Sequence, residues 1–336
     1  MRIAINGFGR IGRAFFKLAV SEPQLQIVAI NDLGDLDNLV YLLKHDTVYG
    51  NYDALINIEH PNKLIINNQE IVFLQEKDPQ NLPWKDLNID VVLEATGVFE
   101  DYNLAQAHIK AGAKKVIITA PAKGEENKDG RIVLLNINEN EINDFPVISN
   151  GSCTTNAVSP VLKVLHEKLG IKKAILNTIH AYTATQNLVD GPVKGKDLLR
   201  GRAAAQNIVP STTGAAKAVT KALKDLENKF DGLAIRVPVV CGSLADITFV
   251  SQRETSVEEV NQILTTAAQE EKWANILVVS PEPLVSSDIV KKIHPAIVDL
   301  SFTKIVDKDL VKVLVWYDNE WGYAWTLVAQ LKKLKF

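Results

Sequence analysis

The sequence predicts an α/β protein, with helices wrapped around a parallel sheet in its first half and a second unit beginning near residue 153. Three observations carry this expectation. Short apolar runs alternate with stretches of helical apolar spacing across the first half. A turn patterned with three glycines joins the first run to the first helical stretch. One of only two cysteines in 336 residues stands in an unusually polar segment, just before another stretch of helical spacing.

Met1–Ile5 reads as an apolar strand, Gly7-Phe-Gly-Arg-Ile-Gly12 as a turn and Ile11–Val20 as a helix. Gly7 suits the tight turn, Gly9 a close approach of backbone to a pyrophosphate, and Gly12 close packing of helix on strand, so that the helix N-terminus faces the phosphates. A second strand, Gln26–Ile30, precedes Asp32, about 20 residues past Gly12, where a carboxylate meets an adenosine ribose 2′-hydroxyl. A lone glycine turn is weak support, because such turns also arise for structural reasons alone. Strand, helix and distant carboxylate together point to a bound dinucleotide. Further strands follow at Asp90–Thr96, Lys115–Thr119 and Val147–Ser149, with a helical stretch Leu104–Ala111 before the second of them. Ligands of such sheets lie beyond the C-terminal strand ends, where Thr96, Gly97, Thr119 and Cys153 all fall. Tyr41–Asp53, turn-rich at its end, reads as an insertion; no repeat, low-complexity stretch or flexible linker is visible.

Composition excludes several function classes. With 37 basic against 40 acidic residues, and no basic block beyond the Lys332–Lys335 tail, there is no electrostatic footprint for nucleic acid. Hydrophobic residues make up 46%, enough for substantial cores. Two distant cysteines give no disulfide framework, and no CxxC or paired His/Cys spacing suggests a metal. Glycines and arginines interrupt the N-terminus, so it lacks a signal-peptide core, and no apolar run approaches the roughly 18 residues needed to span a bilayer. The expected setting is the reducing cytoplasm, with no membrane partner.

Cys153 lies in Ser149-Asn-Gly-Ser-Cys-Thr-Thr-Asn156, before or at the opening of a helix whose apolar positions begin at Ala157. A helix N-terminus favours thiolate over thiol. A lone cysteine is more often a small buried apolar side chain, but the shell of Ser152, Thr154, Thr155 and Asn156 would then need buried partners of its own. Pro160 fits a first turn or a kink. His180, at the end of the strand-like Ala174–Ile179, is either a structural residue or the partner of Cys153. The segment Leu188–Ala205, carrying Lys194, Lys196, Arg200 and Arg202, reads as a long ordered loop. Pro210–Lys217 then sets hydroxyls before a helix, as a simple cap or an anion site. Arg236, inside the apolar run Leu233–Val240, needs an anionic partner, either an internal carboxylate or a substrate. Cys241 reads as an inert core thiol in a strand-like run, and His45, His60, His108, His166 and His294 as surface or packing residues.

These residues resemble one family, the phosphorylating glyceraldehyde-3-phosphate dehydrogenases. The resemblance spans nearly the whole chain, through Ile5-Asn-Gly-Phe-Gly-Arg-Ile-Gly-Arg13, Ala111-Gly-Ala-Lys-Lys-Val116, Ser152-Cys-Thr-Thr-Asn156, Ser211–Val219, Arg236-Val-Pro238, Pro283–Asp288 and Trp316–Tyr323. It implies a Rossmann NAD-binding domain over residues 1–152 and an α+β catalytic domain with a mainly antiparallel sheet over 153–316. A C-terminal helix over about 317–336 would pack back on the first domain, in a homotetramer. Carried over by position, Cys153 is the nucleophile and His180 its base. Thr183 and Arg236 hold the substrate phosphate, and Ser152, Thr154, Thr213, Gly214 and Arg200 the attacking inorganic phosphate. Gly7, Gly9, Arg10, Ile11, Gly12, Asp32, Lys77, Thr96, Thr119 and Asn319 contact NAD. The implied reaction converts glyceraldehyde 3-phosphate to 1,3-bisphosphoglycerate: the thiol adds to the aldehyde, the hemithioacetal is oxidised by NAD, and phosphate captures the resulting thioester.

Three departures from the family pattern stand out: Ala157 in place of a second cysteine, Gly151 in place of alanine, and Ala324-Trp-Thr326 after Tyr323, the last bearing on how the C-terminal helix packs. Two alternatives stay open. An erythrose-4-phosphate dehydrogenase shares the Cys/His chemistry but hydrolyses its thioester, and a non-catalytic NAD-binding interaction protein would have no need of Cys153, His180 and Arg236 together.

Overall fold

In the structure, a computed structural model, residues 1–193 and 197–336 are described; Lys194 and Lys196 of the basic loop lie outside them. The chain divides into two compact units, one formed by residues 1–151 with 324–336 and the other by 152–323.

The first unit runs β1 (Arg2–Asn6), α1 (Arg10–Ala19), β2 (Gln26–Asn31), α2 (Leu36–Lys44), β3 (Ile56–Glu59), β4 (Lys63–Ile66), β5 (Gln69–Leu74), β6 (Val91–Glu94), α3 (Tyr102–Lys110), β7 (Lys115–Ile118), β8 (Gly130–Ile132) and β9 (Val147–Ser149). Among the described residues these strands form one sheet in the order β3-β4-β5-β2-β1-β6-β7-β9-β8. From β5 to β8 every pairing is parallel, and β1, β2, β6, β7 and β9 are almost wholly buried, as strands covered on both faces require. The β3-β4-β5 edge is antiparallel, a feature the sequence reading did not include. Asn67 and Asn68, at φ 49° and 67°, form the two-residue turn that joins β4 to β5, and this paired Asn was the available signal. Tyr41–Asp53 is not wholly an insertion: Tyr41–Lys44 is the end of α2, capped by Asp35, and only the remainder is loop. Trp84, Tyr102, Ile89, Val92 and Val116 fill the core of this unit.

The second unit opens with α4 (Cys153–Leu169), followed by β10 (Ile171–Ala181), β11 (Val209–Ser211), α5 (Ala215–Ala222), β12 (Phe230–Val237), β13 (Ser243–Ser251), α6 (Val257–Ala268), β14 (Leu277–Ser280), α7 (Ser286–Ile289), β15 (Ala296–Val306) and β16 (Leu310–Tyr317). Its sheet has the order β11-β12-β10-β13-β16-β15-β14, antiparallel except for β10–β12 and β14–β15. Leu176, Ile247 and Val313 share one face by register and are fully buried, whereas Ile175 on the other face is 57% exposed. Pro160 lies inside α4, so of its two expected places the first turn is excluded. Its ring nitrogen carries no N–H to donate one turn back along the helix.

The last helix, α8, spans Trp321–Leu331, shorter than the expected 317–336, because Tyr317 ends β16 and Asp318 Oδ1 accepts the Glu320 and Trp321 amides in the turn between. Its departing segment is well accommodated. Ala324 is fully buried, Thr326 Oγ1 accepts from Asn150 Nδ2 at 2.8 Å, and Gln330 Nε2 donates to the Val133 carbonyl at 2.7 Å. Among the described residues no helix is long and apolar enough to cross a membrane.

Candidate active site

In the second unit, Ser152 caps α4: its Oγ accepts the Thr155 amide at 3.1 Å, while Thr155 Oγ1 accepts the Ser152 amide at 3.1 Å. This reciprocal cap fixes Cys153 as the first residue of the helix. Strand register then supplies its neighbours. His180 and Arg236 are cross-strand partners on the parallel strands β10 and β12, and Val209 pairs with Arg236 from the other side. Cys153 Sγ lies 3.4 Å from His180 Nε2.

His180 Nδ1 is 2.7 Å from the Ala181 carbonyl, an acceptor, and 2.5 Å from Arg236 Nη1, which can only donate. The two partners make opposite demands. A proton on Nδ1 serves the carbonyl and leaves the Nε2 lone pair facing the sulfur, the arrangement a base requires. Arg236 Nη1 also donates to that carbonyl at 3.1 Å, and among the described residues its Nε has no partner although the side chain is well enclosed. Tyr317 stands edge-on to the imidazole and its hydroxyl meets Thr154 Oγ1 at 2.9 Å. Thr154 is therefore buried, with its hydroxyl turned toward Tyr317.

The electrostatics run against the helix-end expectation for the thiol. Although part of Cys153 reaches solvent, dense protein around the sulfur pushes its pKa up to about 11, against the opposing pull of the Arg236 cation and of hydrogen bonds from Thr154. Burial, then Arg236, drive His180 down to about 3. At neutral pH the pair thus rests as thiol and neutral imidazole. Cys241 is buried in the bend before β13, not in a strand, and its Sγ contacts Asp318 Oδ1 at 3.4 Å.

Arg200 is clamped by Asp197 at 2.9 Å, Thr185 Oγ1 at 2.9 Å and Ser211 Oγ at 3.2 Å. Thr185 Oγ1 in turn lies 2.9 Å from Thr183 Oγ1. Thr183 of one proposed anion site is thereby joined to Arg200 of the other through Thr185, which sequence reasoning left out, while Ser211, one of the hydroxyls read before α5, braces Arg200. The only signal for Thr185 was its place beside assigned residues. Thr213 Oγ1 accepts the Ala215 amide at 3.1 Å, and Gly214, the N-cap of α5, offers no side chain. Asn319 is buried with Oδ1 accepting from the Gly242 amide at 3.1 Å and from Ser243 Oγ at 2.9 Å, which fixes the orientation of its amide, with Nδ2 as the donor.

In the first unit the glycine turn fits a dinucleotide. Gly7 has φ +98°, and a Cβ there would lie 2.6 Å from the Ala95 and Thr96 backbone, while one at Gly12 would collide with the Gly7 carbonyl. A Cβ at Gly9 would meet nothing within 4 Å, and Gly9 caps α1 with no side-chain hydrogen bond, leaving space before the helix N-terminus. Asp32, just past β2, accepts the Phe8 amide at 2.6 Å on one oxygen and the Gly34 amide at 2.8 Å on the other. Arg10 pairs with Asp46 at 2.8 Å and lies over Tyr49. Ile11 is half-buried in α1's first turn, Lys77 is exposed, and Thr96 and Thr119 follow the ends of β6 and β7. Among the described residues no cluster of potential metal ligands occurs.

Both halves of the chain match known proteins. Residues 1–102 match the glyceraldehyde 3-phosphate dehydrogenase NAD binding domain, and 152–319 match the C-terminal domain of the same family. The glyceraldehyde-3-phosphate dehydrogenase of Thermotoga maritima is 46% identical over 336 residues, covering 99% of this chain and 98% of its own. That of Geobacillus stearothermophilus is 44% identical over 330 residues, 98% of this chain and 96% of the relative. In Bacillus subtilis, glyceraldehyde-3-phosphate dehydrogenase 2 is 43% identical over 334 residues, 99% and 96% of the two chains. With both domain models matched in order and such relatives aligned from end to end, the chain belongs to the glyceraldehyde-3-phosphate dehydrogenase family.

Proposed function

We propose that Cys153 and His180 perform the reaction of this family, the NAD-dependent conversion of glyceraldehyde 3-phosphate to 1,3-bisphosphoglycerate. The observation that carries the reading is the 3.4 Å approach of Cys153 Sγ to a neutral imidazole nitrogen. His180 Nε2 takes the thiol proton as the sulfur attacks the aldehyde carbon, and returns it to the aldehyde oxygen to complete a hemithioacetal. It then accepts the hydroxyl proton as that carbon is oxidised to a thioester, a role worth about 10²- to 10⁴-fold. NAD, when bound through Gly7, Gly9, Arg10, Ile11, Gly12, Asp32, Lys77, Thr96 and Thr119, supplies the hydride acceptor. Asn319 Nδ2 is suited to the carboxamide of its nicotinamide, since Oδ1 is already engaged.

Arg236 and Thr183 hold the substrate phosphate, and an anion there draws the guanidinium off His180 Nδ1, removing the donor that competes with the Nδ1 proton. Ser152, Thr154, Thr213, Gly214 and Arg200 receive inorganic phosphate, which attacks the thioester carbon and releases the Cys153 thiolate. The hydroxyl of Thr154 would have to turn from Tyr317 or share its bond to take part. Without phosphate, purified enzyme should give a burst of NADH of at most one per active site and then near-arrest. Full-rate turnover in phosphate-free buffer would overturn the phosphorylating reading in favour of the hydrolytic, erythrose-4-phosphate type.

The working form is a homotetramer in the cytoplasm. Two separate exposed apolar areas support more than one interface: Ile175 and Leu233 on the open face of the second sheet, and Leu188, Val189, Leu198 and Ile208 along the loop between β10 and β11. Sedimentation equilibrium giving a monomer or dimer at micromolar protein would remove this part of the reading.

A further inference from the structure

The reaction leaves without a role a cluster in the first unit: Trp84, His108, Glu94, Asn6 and Asn31, none more than 4% exposed. Their hydrogen bonds have a fixed direction. An indole N–H only donates, so Trp84 Nε1, 2.9 Å from His108 Nδ1, makes that nitrogen an acceptor. The ring proton then sits on Nε2 and is donated to Glu94 Oε2 at 3.1 Å. Asn6 Nδ2 donates to the same oxygen at 2.6 Å, and Asn31 Nδ2 donates to Asn6 Oδ1 at 2.7 Å. Glu94 Oε1 accepts the Thr96 amide at 2.9 Å and the Thr96 hydroxyl. The carboxylate accepts four hydrogen bonds, about as many as its lone pairs allow.

Each arm ends where the sheet meets the proposed dinucleotide. Asn6 precedes Gly7. Asn31 precedes Asp32 and also clasps Glu76, its Oδ1 accepting the Glu76 amide at 2.8 Å and its Nδ2 donating to the Glu76 carbonyl at 2.9 Å, one residue before Lys77. Thr96 Oγ1 accepts the Val98 amide at 3.0 Å, and the Glu94 carbonyl accepts Thr119 Oγ1 at 3.0 Å. The network centred on Glu94 therefore ties the ends of β1 and β6 directly, and that of β2 through Asn6, to the segments that follow them.

We propose that Glu94, oriented by His108 and Trp84, is a positioning residue for NAD, holding the Gly7, Asp32 and Thr96 segments at the spacing that the adenosine and pyrophosphate require. The inference rests on the cofactor placement proposed above. Apolar residues would fill the same volume without the desolvation cost of a buried carboxylate, so its contribution is orientation. The network is also continuous, so a change at Glu94 reaches all three segments together.

The test is Glu94→Gln, which keeps the volume but replaces one acceptor oxygen with a donor. Thr96, or the Asn6–His108 pair, then faces donor against donor. The Kd for NAD, and for ADP-ribose, which lacks the nicotinamide, should rise about 10- to 100-fold by calorimetry. The KM for the aldehyde and the kcat at saturating NAD should stay within about threefold of wild type. His108→Gln can still accept from Trp84 and donate to Glu94, so it should retain most of the affinity that His108→Leu loses. A folded Glu94→Gln protein that binds ADP-ribose like wild type would overturn the proposal. Should that variant not fold, wild-type protein labelled with nitrogen-15 histidine decides by NMR. A neutral His108 protonated on Nε2, with a resonance that moves on saturation with ADP-ribose, supports it; the other tautomer, or a resonance indifferent to the ligand, overturns it. Wild-type protein that fails to bind ADP-ribose would instead overturn the cofactor placement itself.

Discussion

The two buried polar clusters of this chain obey different rules. Around Glu94 the acceptor positions of the carboxylate are filled and Trp84 fixes the His108 tautomer, with Asn6 Nδ2 also 3.4 Å from His108 Nε2, and the result holds backbone in place. Around Cys153 the same accounting fails. Among the described residues Arg236 Nε lacks a partner, His180 Nδ1 lies between a donor and an acceptor, and burial pushes the thiol up and the imidazole down. The first cluster is complete without a ligand, whereas the second leaves demands that the proposed substrate would meet. Unsatisfied demand inside a well-packed unit is the mark of the reacting site.

The largest effects should come from breaking the second cluster at its centre. Cys153→Ser should lower kcat/KM by about 10⁴-fold or more and abolish the NADH burst, because a hydroxyl is a far weaker nucleophile at this site. His180→Asn should cost about 10²- to 10⁴-fold in the oxidative step with little change in NAD affinity. Stopped-flow measurement of the burst separates the two. A His180→Asn enzyme with an undiminished burst rate would remove the imidazole from the mechanism.

Next in size are the anion contacts. Arg236→Ala should lower kcat/KM for the aldehyde by about 10- to 100-fold, the scale of a hydrogen bond between charged groups. Thr213→Ala, losing one neutral hydroxyl, should slow only the phosphate-dependent step, by about fivefold. Because Arg200, Thr185 and Thr183 form one chain of contacts, Arg200→Ala and Thr183→Ala should be non-additive when combined. Strict additivity would mean that the two anion sites act independently.

The pH behaviour tests the balance of burial against the helix end. A thiol raised to about 11 is mostly protonated at neutral pH, so iodoacetamide labelling of Cys153 should climb about tenfold per pH unit between 7 and 10. His180, lowered to about 3, stays neutral over that range and should add no acid limb near its ordinary value. Cys241, buried beside Asp318, should label far more slowly. A labelling rate already on a plateau at pH 7 would show that α4 and His180 hold a thiolate despite burial.

How much of this was legible in the sequence depended on whether the signal was local. The glycine turn, the Cys153 helix and the buried parallel strands follow from spacing within a few residues. The pairing of His180 with Arg236 does not, because it is set by the register of two strands 56 residues apart. Thr185 was missed because a hydroxyl in a loop carries no pattern of its own, and Ser211, at the end of β11, was read only as one of the hydroxyls before α5. His108, read as packing or surface, proved to be an oriented link to Glu94, since its partners Trp84 and Glu94 come from other elements. The rise in the thiol pKa was invisible for the same reason: a helix end can be read from sequence, but burial is a property of the folded unit.

The smallest effect tests whether a carboxylate in the complete region also has a task toward ligand. Asp32 accepts backbone amides of Phe8 and Gly34 on both oxygens, so it shapes the turn as well as facing the proposed ribose. Wild type should prefer NAD over NADP, because a carboxylate accepts from a 2′-hydroxyl and repels a 2′-phosphate. Asp32→Ala removes the repulsion and two backbone contacts together. NAD efficiency should therefore fall about fivefold, while the NAD-to-NADP ratio of kcat/KM narrows by about tenfold. Asp32→Asn separates the two roles, since one amide oxygen still accepts a backbone N–H while the charge is gone. If the ratio narrows in Asp32→Asn with NAD efficiency nearly kept, charge is the selector. If both variants lose NAD efficiency and leave the ratio unchanged, Asp32 only braces the turn, and cofactor choice resides elsewhere.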